Sequence, residues 1–162
     1  MTSSKCIRGQ HCFWMILLGG LFTTSLVYGQ IAEMKTLSVD GGRAVLQAAE
    51  QKARQLSAPS SLAVVDVAGD LILFEQMQGA RPVGIDLAIG KARSAARYQV
   101  PTETLEKTIN TGRPAVITAE RIQMDGGVPI RIGGALVGAI GVSGLDKRND
   151  IQIAETAAAA VK

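Results

Sequence analysis

The chain has 162 residues, enough for one domain rather than several. At 47% hydrophobic and 19% charged it can bury a full core, which excludes a disordered polypeptide. Its net charge of +3 carries no clustered basic stripe, so nucleic acid is not an expected partner.

Residues 1–29 read as a secretory signal peptide. Lys5 and Arg8 form a basic start, Phe13 to Phe22 an apolar centre, and Val27-Tyr28-Gly29 supplies small residues before a cut. The apolar run is short for a membrane span, though an uncleaved anchor is the other reading. Cleavage leaves one domain over 30–162, exported to the periplasm or beyond, with no stable membrane anchor. It also removes Cys6, His11, Cys12 and Trp14, so residues 30–162 hold no cysteine, histidine or tryptophan. Without Lys5 and Arg8 the 17 basic residues become 15, against 14 acidic ones. A disulfide, a zinc site built on His or Cys, and Ser-His or Cys-His catalysis are thereby excluded.

Ile31 to Leu37 is a short lead-in. Ser38 is placed to cap a helix from Val39 to about Leu56, in which Leu46, Ala49, Ala53 and Leu56 recur at three- and four-residue steps. Ala58-Pro59-Ser60-Ser61 breaks it. Leu62–Val67 and Leu71–Met77 read as strands joined by a turn at Ala68-Gly69-Asp70. A second helix covers about Gly84 to Tyr98, with Ile85, Ile89, Ala92 and Ala96 on its apolar stripe and small residues that admit a close neighbour. Thr102 can cap a short helix to about Asn110. Ala115 to Thr118 looks like a strand, and the stretch to Met124 is ambiguous. Then comes a glycine-rich hairpin. Ile130 and Ile132 alternate with Arg131, Gly133-Gly134 offers a two-residue turn, and Leu136 to Val142 is an almost wholly apolar strand. Gly138 and Gly141 inside that strand point to a bulge or a close approach by other backbone, and Pro129 to a strand start or edge. Asp146 can cap a last helix whose stripe is Ile151, Ala154, Ala158 and Val161. Consecutive hairpins with helices packed on them predict an α+β class and an antiparallel sheet.

Five stretches, in order, carry a resemblance: Leu62-Ala63-Val64-Val65-Asp66-Val67-Ala68-Gly69-Asp70-Leu71, Lys91-Ala92-Arg93-Ser94-Ala95-Ala96, Asn110-Thr111-Gly112-Arg113, Gly126-Gly127-Val128-Pro129-Ile130 and Val137-Gly138-Ala139-Ile140-Gly141-Val142-Ser143-Gly144. Together they resemble the haem-binding, or haem-degrading, family over about Leu37 to Lys162. That family includes a secreted haem-binding protein, an accessory protein of the glycolate operon and the C-terminal domain of a propanediol-utilisation cobalamin adenosyltransferase. The resemblance implies a five-stranded antiparallel sheet flanked by helices, profilin- or PAS-like, in homo-oligomers of two or more. The ligands it implies are tetrapyrroles: haem first, a corrinoid second.

Haem needs an apolar slot, cations for its propionates and commonly an axial His, Cys, Met or Tyr. Here the axial ligand falls to Tyr98, to Met34, Met77 or Met124, to a hydroxyl or to a lysine. The resemblance matches Ser94 to a hydroxyl on the same helix of the secreted member, so Ser94 or Tyr98 is the expected weak ligand. Lys91, Ser94 and Tyr98 lie at i, i+3 and i+7 and share a stripe apart from the apolar one. That stripe either faces a flat acidic ligand or is a solvated or oligomer-contact face. Arg93 and Arg97 pair with acids or face water, or else hold a carboxylate. Arg113, after a glycine turn, suits a bidentate carboxylate and equally complements the preceding helix dipole. Met124 and Asp125 sit at a pocket mouth or serve as a core methionine and a turn aspartate. Gly126 and Gly127 shape the backbone and leave room for a ligand. Asp66 and Asp70 are structural turn residues.

The expected function is an exported binding protein for haem or a related tetrapyrrole, with a part in haem or iron sensing or breakdown. The alternative is an accessory protein or enzyme acting on a small carboxylate in a catabolic pathway, and a structural oligomer with a vestigial pocket is a third reading. No catalytic residue is assigned.

Overall fold

The computed structural model describes residues 33–118 and 122–162. The expected signal segment lies outside the described residues. Among them, no helix is long and apolar enough to cross a membrane.

The order is α1 (Val39–Gln55), β1 (Ser61–Asp66), β2 (Leu71–Gln76), α2 (Gly84–Tyr98), α3 (Thr102–Asn110), a 3-10 turn (Pro114–Thr118), β3 (Gly127–Ile132), β4 (Ala135–Ser143) and α4 (Lys147–Ala158). The four strands form one antiparallel sheet in the order β2-β1-β4-β3. Both predicted hairpins are present. Gly133 and Gly134 take φ of 57° and 83° in the two-residue turn, the left-handed geometry that glycine adopts without a Cβ clash. Pro129 lies on β3, an edge strand, where its missing N–H costs least.

Alternation along β1 and β4 splits the core in two. Leu62, Val64, Ile140 and Val142 pack with Val45, Ala49 and Ala53 of α1 and Ile153, Ala154 and Ala157 of α4. On the opposite face Ala63, Val65 and Ala139 pack with Ala88, Ala92, Ala95 and Ala96 of α2. That second face is made of small residues, so α2 lies close against the sheet. A Cβ on Gly141 would meet the carbonyl of Ala88 and come within 2.6 Å of the Ala92 nitrogen. The close approach expected at Gly141 is thus made by α2 itself.

The helix caps follow simple chemistry. Ser38 Oγ accepts the Gly41 N–H at 3.1 Å, and Asp146 accepts from the Arg148 N–H at 2.9 Å.

Several expectations are corrected. Among the described residues the sheet has four strands, and the fifth that was expected is not found among them. Ala115 to Thr118 is not a strand but part of the exposed 3-10 turn opened by Pro114, and Thr118 Oγ1 donates to the Ala115 carbonyl at 2.8 Å. Thr102 does not cap α3: it is its first residue, and its hydroxyl accepts the Gly127 N–H at 2.8 Å, tying α3 to β3. The stripes of α2 and α4 match those expected only in part: Ala92, Ala96 and Ala154 are buried, and Ile89, Ala158 and Val161 pack partly against the core, but further residues join them. On α2, Ala88, Lys91, Ala92, Ser94, Ala95 and Ala96 are inside; on α4, Asp150, Ile153, Ala154 and Ala157 are. Each stripe therefore carries a charged residue into the interior.

Candidate functional site

Those two charges meet. Lys91 on α2 and Asp150 on α4 are 59 positions apart, and Lys91 Nζ lies 3.1 Å from Asp150 Oδ2. Both are nearly inaccessible, at 3% and 4% exposure. Lys91 Nζ also donates to the Val142 carbonyl at 2.9 Å, and Asp150 Oδ1 accepts the Gly144 N–H at 2.7 Å. A buried ion pair persists only when its remaining hydrogen-bonding capacity is used, and here the backbone of β4 and the loop after it supplies the partners. Burial pushes the Asp150 carboxyl above its ordinary range; the Lys91 charge and hydrogen bond and the Gly144 N–H pull it back only in part.

The pair borders a cavity of about 160 Å³ whose walls also include the charged Arg81, Glu106, Asp125 and Lys147 beside Leu87, Met124 and Leu145. Arg81 Nη2 donates to the Gly144 carbonyl at 3.1 Å and has no carboxylate partner among the described residues. Lys147 Nζ is held by Asp125 at 3.0 Å and Glu106 at 3.4 Å, and the Asp125 hydrogen bond raises its pKa most. Asp125 is fixed in turn, since its N–H donates to Glu106 Oε2 at 2.8 Å.

Next to the cavity is an apolar cleft of about 280 Å³, walled by Leu87 of α2, Ile109 of α3, Ile117 of the 3-10 turn, and Ile122 and Met124 of the loop before β3. Cleft and cavity share Leu87, Glu106 and Met124. Together they form an amphipathic groove, apolar at one end and charged at the other. Three large apolar side chains of its walls stand exposed: Ile117, Met124 and Leu145. A third hollow, of about 270 Å³, lies between α3 and the Asp125–Lys147 pair.

Of the residues singled out from sequence, the fold brings Lys91, Met124 and Asp125 to the cavity. Gly126 and Gly127 lie behind it. Gly126 has φ of 104° and a Cβ there would stand 3.2 Å from Lys91 Nζ; one on Gly127 would stand 2.5 Å from the Lys91 carbonyl. These glycines make room for α2. Ser94 is wholly buried and lines none of the three hollows. Tyr98 is 37% exposed at the far end of α2, and Arg113 is exposed on the loop after α3; neither lines them. The shared stripe of Lys91, Ser94 and Tyr98 is therefore not a solvated face. Arg93 and Arg97 do not hold acids either: their Nε atoms donate to the Gly69 and Ala68 carbonyls at 3.2 and 3.1 Å and clamp the β1–β2 turn. Asp66 accepts the Ala68 and Asp70 N–H groups at 2.9 and 2.8 Å, the structural role expected of it.

Sequence reasoning missed Arg81, Glu106, Lys147 and Asp150. Only Asp150 left a trace, as a carboxylate four residues before Ala154 on what proves to be the buried side of an amphipathic helix.

The fold and the groove define a small α+β domain with helices on both faces of a four-stranded antiparallel sheet and an amphipathic recess beside one helix. The chain belongs to the HbpS-like haem-degrading family, whose model matches residues 37–159. It is 36% identical to the protein GlcG of Escherichia coli K12 over 114 residues, 68% of this chain and 85% of that one. Among solved structures it resembles HbpS, with a TM-score of 0.76 and 27% identity over 83% of this chain and 96% of that one. It also resembles a PduOC–haem complex, with a TM-score of 0.71 and 28% identity over 78% and 96%.

Proposed function

We propose that this chain, exported and cut before Gln30, binds haem or a related tetrapyrrole in the amphipathic groove as a homo-oligomer. The observation that carries the reading is the apolar cleft of about 280 Å³ that shares the walls Leu87, Glu106 and Met124 with a cavity lined by charged residues. A macrocycle with carboxylate arms has that same division of apolar face and acidic edge. Family membership and the solved haem complex of a relative support it.

The residues present fit the group. Leu87, Ile109, Ile117 and Ile122 offer apolar walls that exclude water from a flat ring. The half-exposed Met124 offers a soft thioether at the junction of cleft and cavity. Arg81, free of acidic partners among the described residues, is placed to take a propionate. Bound haem would supply a redox-active iron; the chain supplies position, dryness and charge. One protomer's cleft is open, and the exposed Ile117, Met124 and Leu145 in the walls of the groove favour a second copy as cover. A role in haem or iron sensing, or in breakdown, follows from the same ligand.

Titrating the chain that begins at Gln30 with hemin is expected to give a saturable Soret shift. Met124→Ala is expected to weaken binding about tenfold, roughly 1.4 kcal/mol. A titration without saturation, or with no spectral change, overturns the reading; a monomer by sedimentation at working concentration overturns its oligomeric part.

A further inference from the structure

Buried ion pairs normally sit in solid packing, but Lys91 and Asp150 form a wall of a hollow. The Lys91 ammonium has three N–H donors. Two are used, by Val142 and Asp150, and the glycine at 126 leaves space beside the nitrogen. A continuous chain of contacts joins this amine to Arg81: Lys91 Nζ to Asp150, Asp150 to the Gly144 N–H, and the Gly144 carbonyl to Arg81 Nη2. At about 160 Å³ the cavity suits an acid of a few carbons and is far too small for a macrocycle. With Lys147 held by two carboxylates, Arg81 is the cation left to meet an incoming anion.

We propose that this cavity takes a small α-oxo acid, with its carboxylate on the Arg81 guanidinium and its carbonyl carbon against Lys91 Nζ, and that Lys91 forms a reversible imine with it.

The atoms balance within the site. Asp150 takes one proton from the Lys91 ammonium, and burial, which raises its carboxyl, makes it a willing acceptor. The freed amine attacks the carbonyl carbon. A C–N bond forms, and one N–H proton passes to the former carbonyl oxygen to give a carbinolamine. Its hydroxyl leaves as water with the proton held on Asp150. The product iminium keeps one N–H and its positive charge beside the Asp150 carboxylate, so the ion pair neutralised in the first step is restored in the product. Nothing is oxidised or reduced, and no co-reactant is needed. The site stands apart from the tetrapyrrole reading: cleft and cavity are separate volumes with common walls, although a haem propionate would compete for Arg81.

The experiment is reductive trapping. The purified full chain is incubated with pyruvate and sodium cyanoborohydride, then weighed intact and mapped by peptide mass. The expected result is one saturable adduct on Lys91, with exposed lysines such as Lys35 and Lys107 labelled slowly and in proportion to pyruvate. Arg81→Gln is expected to slow Lys91 labelling by subsaturating pyruvate about tenfold. The loss should be markedly larger for pyruvate than for acetaldehyde, which has no carboxylate. Labelling confined to exposed lysines, or a Lys91 adduct that neither saturates nor responds to Arg81→Gln, overturns the proposal. The decisive reading is taken on the unaltered protein, so it does not depend on a variant that folds.

Discussion

Lys91→Met is expected to cost the domain about 3–5 kcal/mol at pH 7, the penalty for leaving one charge of a buried pair alone. Asp150 is 4% exposed and would keep only the Gly144 N–H, while the Val142 carbonyl would lose its side-chain donor. The pH dependence identifies the cause. Asp150 already has a raised carboxyl in the folded state, with burial the largest influence. A carboxyl raised on folding binds more protons folded than unfolded, so stability falls as pH rises from its unfolded value, about 3.9, through its folded one. Removing Lys91 strips away the two strongest influences opposing burial, and the folded value climbs further. The deficit of Lys91→Met should therefore shrink as pH is lowered from 7 toward 5. Urea unfolding at the two pH values measures it. The double variant Lys91→Met with Asp150→Leu should recover most of the loss, because it removes the stranded charge. A deficit of equal size at both pH values would assign the loss to packing instead.

The parts of the fold that were legible are those written in short-range chemistry. The hairpin of β3 and β4 showed in the alternation of Ile130, Arg131 and Ile132 and in the adjacent glycines of its turn. Ser38 and Asp146 announced their helices by side chains that can accept an N–H. Ala115 to Thr118 misled because a four-residue apolar run has no period, and Pro114 then fixed a tight turn. The stripe of α2 was legible only in part. Ala92 and Ala96 are buried as expected and Ile89 packs partly against the same cluster, but the sheet face beneath is Ala63, Ala139 and Gly141, so Ala88 and Ala95 also lie inside. Alanines, a weak guide to burial, mark the contact where both surfaces are small. The site was the least legible part. Lys91 and Met124 were picked out, but Arg81, Glu106 and the two α4 residues Lys147 and Asp150 come from three separate places in the chain, and no local spacing joins all of them. A lysine on one helix and an aspartate on another look like two solvated charges until the fold sets them 3.1 Å apart.

Gly141→Ala is expected to destabilise the protein by about 3 kcal/mol or more, at the upper end of what overpacking costs. Backbone strain is not the cause, since Gly141 is not among the residues of positive φ. The obstacle is space. The new methyl group would run into the Ala88 carbonyl and lie 2.6 Å from the Ala92 nitrogen and 3.0 Å from its Cβ. Two of those three neighbours are backbone of α2, which cannot rotate aside. The helix must lift from β4, and in lifting it loosens Ala63, Val65 and Ala139 and draws Lys91 away from the Val142 carbonyl. Gly42→Ala is the matched control. Its methyl would meet Ile72 Cγ2 and Leu73 Cδ1 at 3.4 Å, the ends of side chains that can shift, and alanine is favoured over glycine in a helix by roughly 1 kcal/mol. Thermal unfolding should therefore show a fall in Tm of about 10 °C or more for Gly141→Ala and little change or a small rise for Gly42→Ala. Because a shifted α2 also carries Leu87 and Lys91, Gly141→Ala should weaken hemin binding and slow Lys91 trapping together. A variant that melts early yet keeps both would mean that the groove does not depend on how closely α2 lies on the sheet.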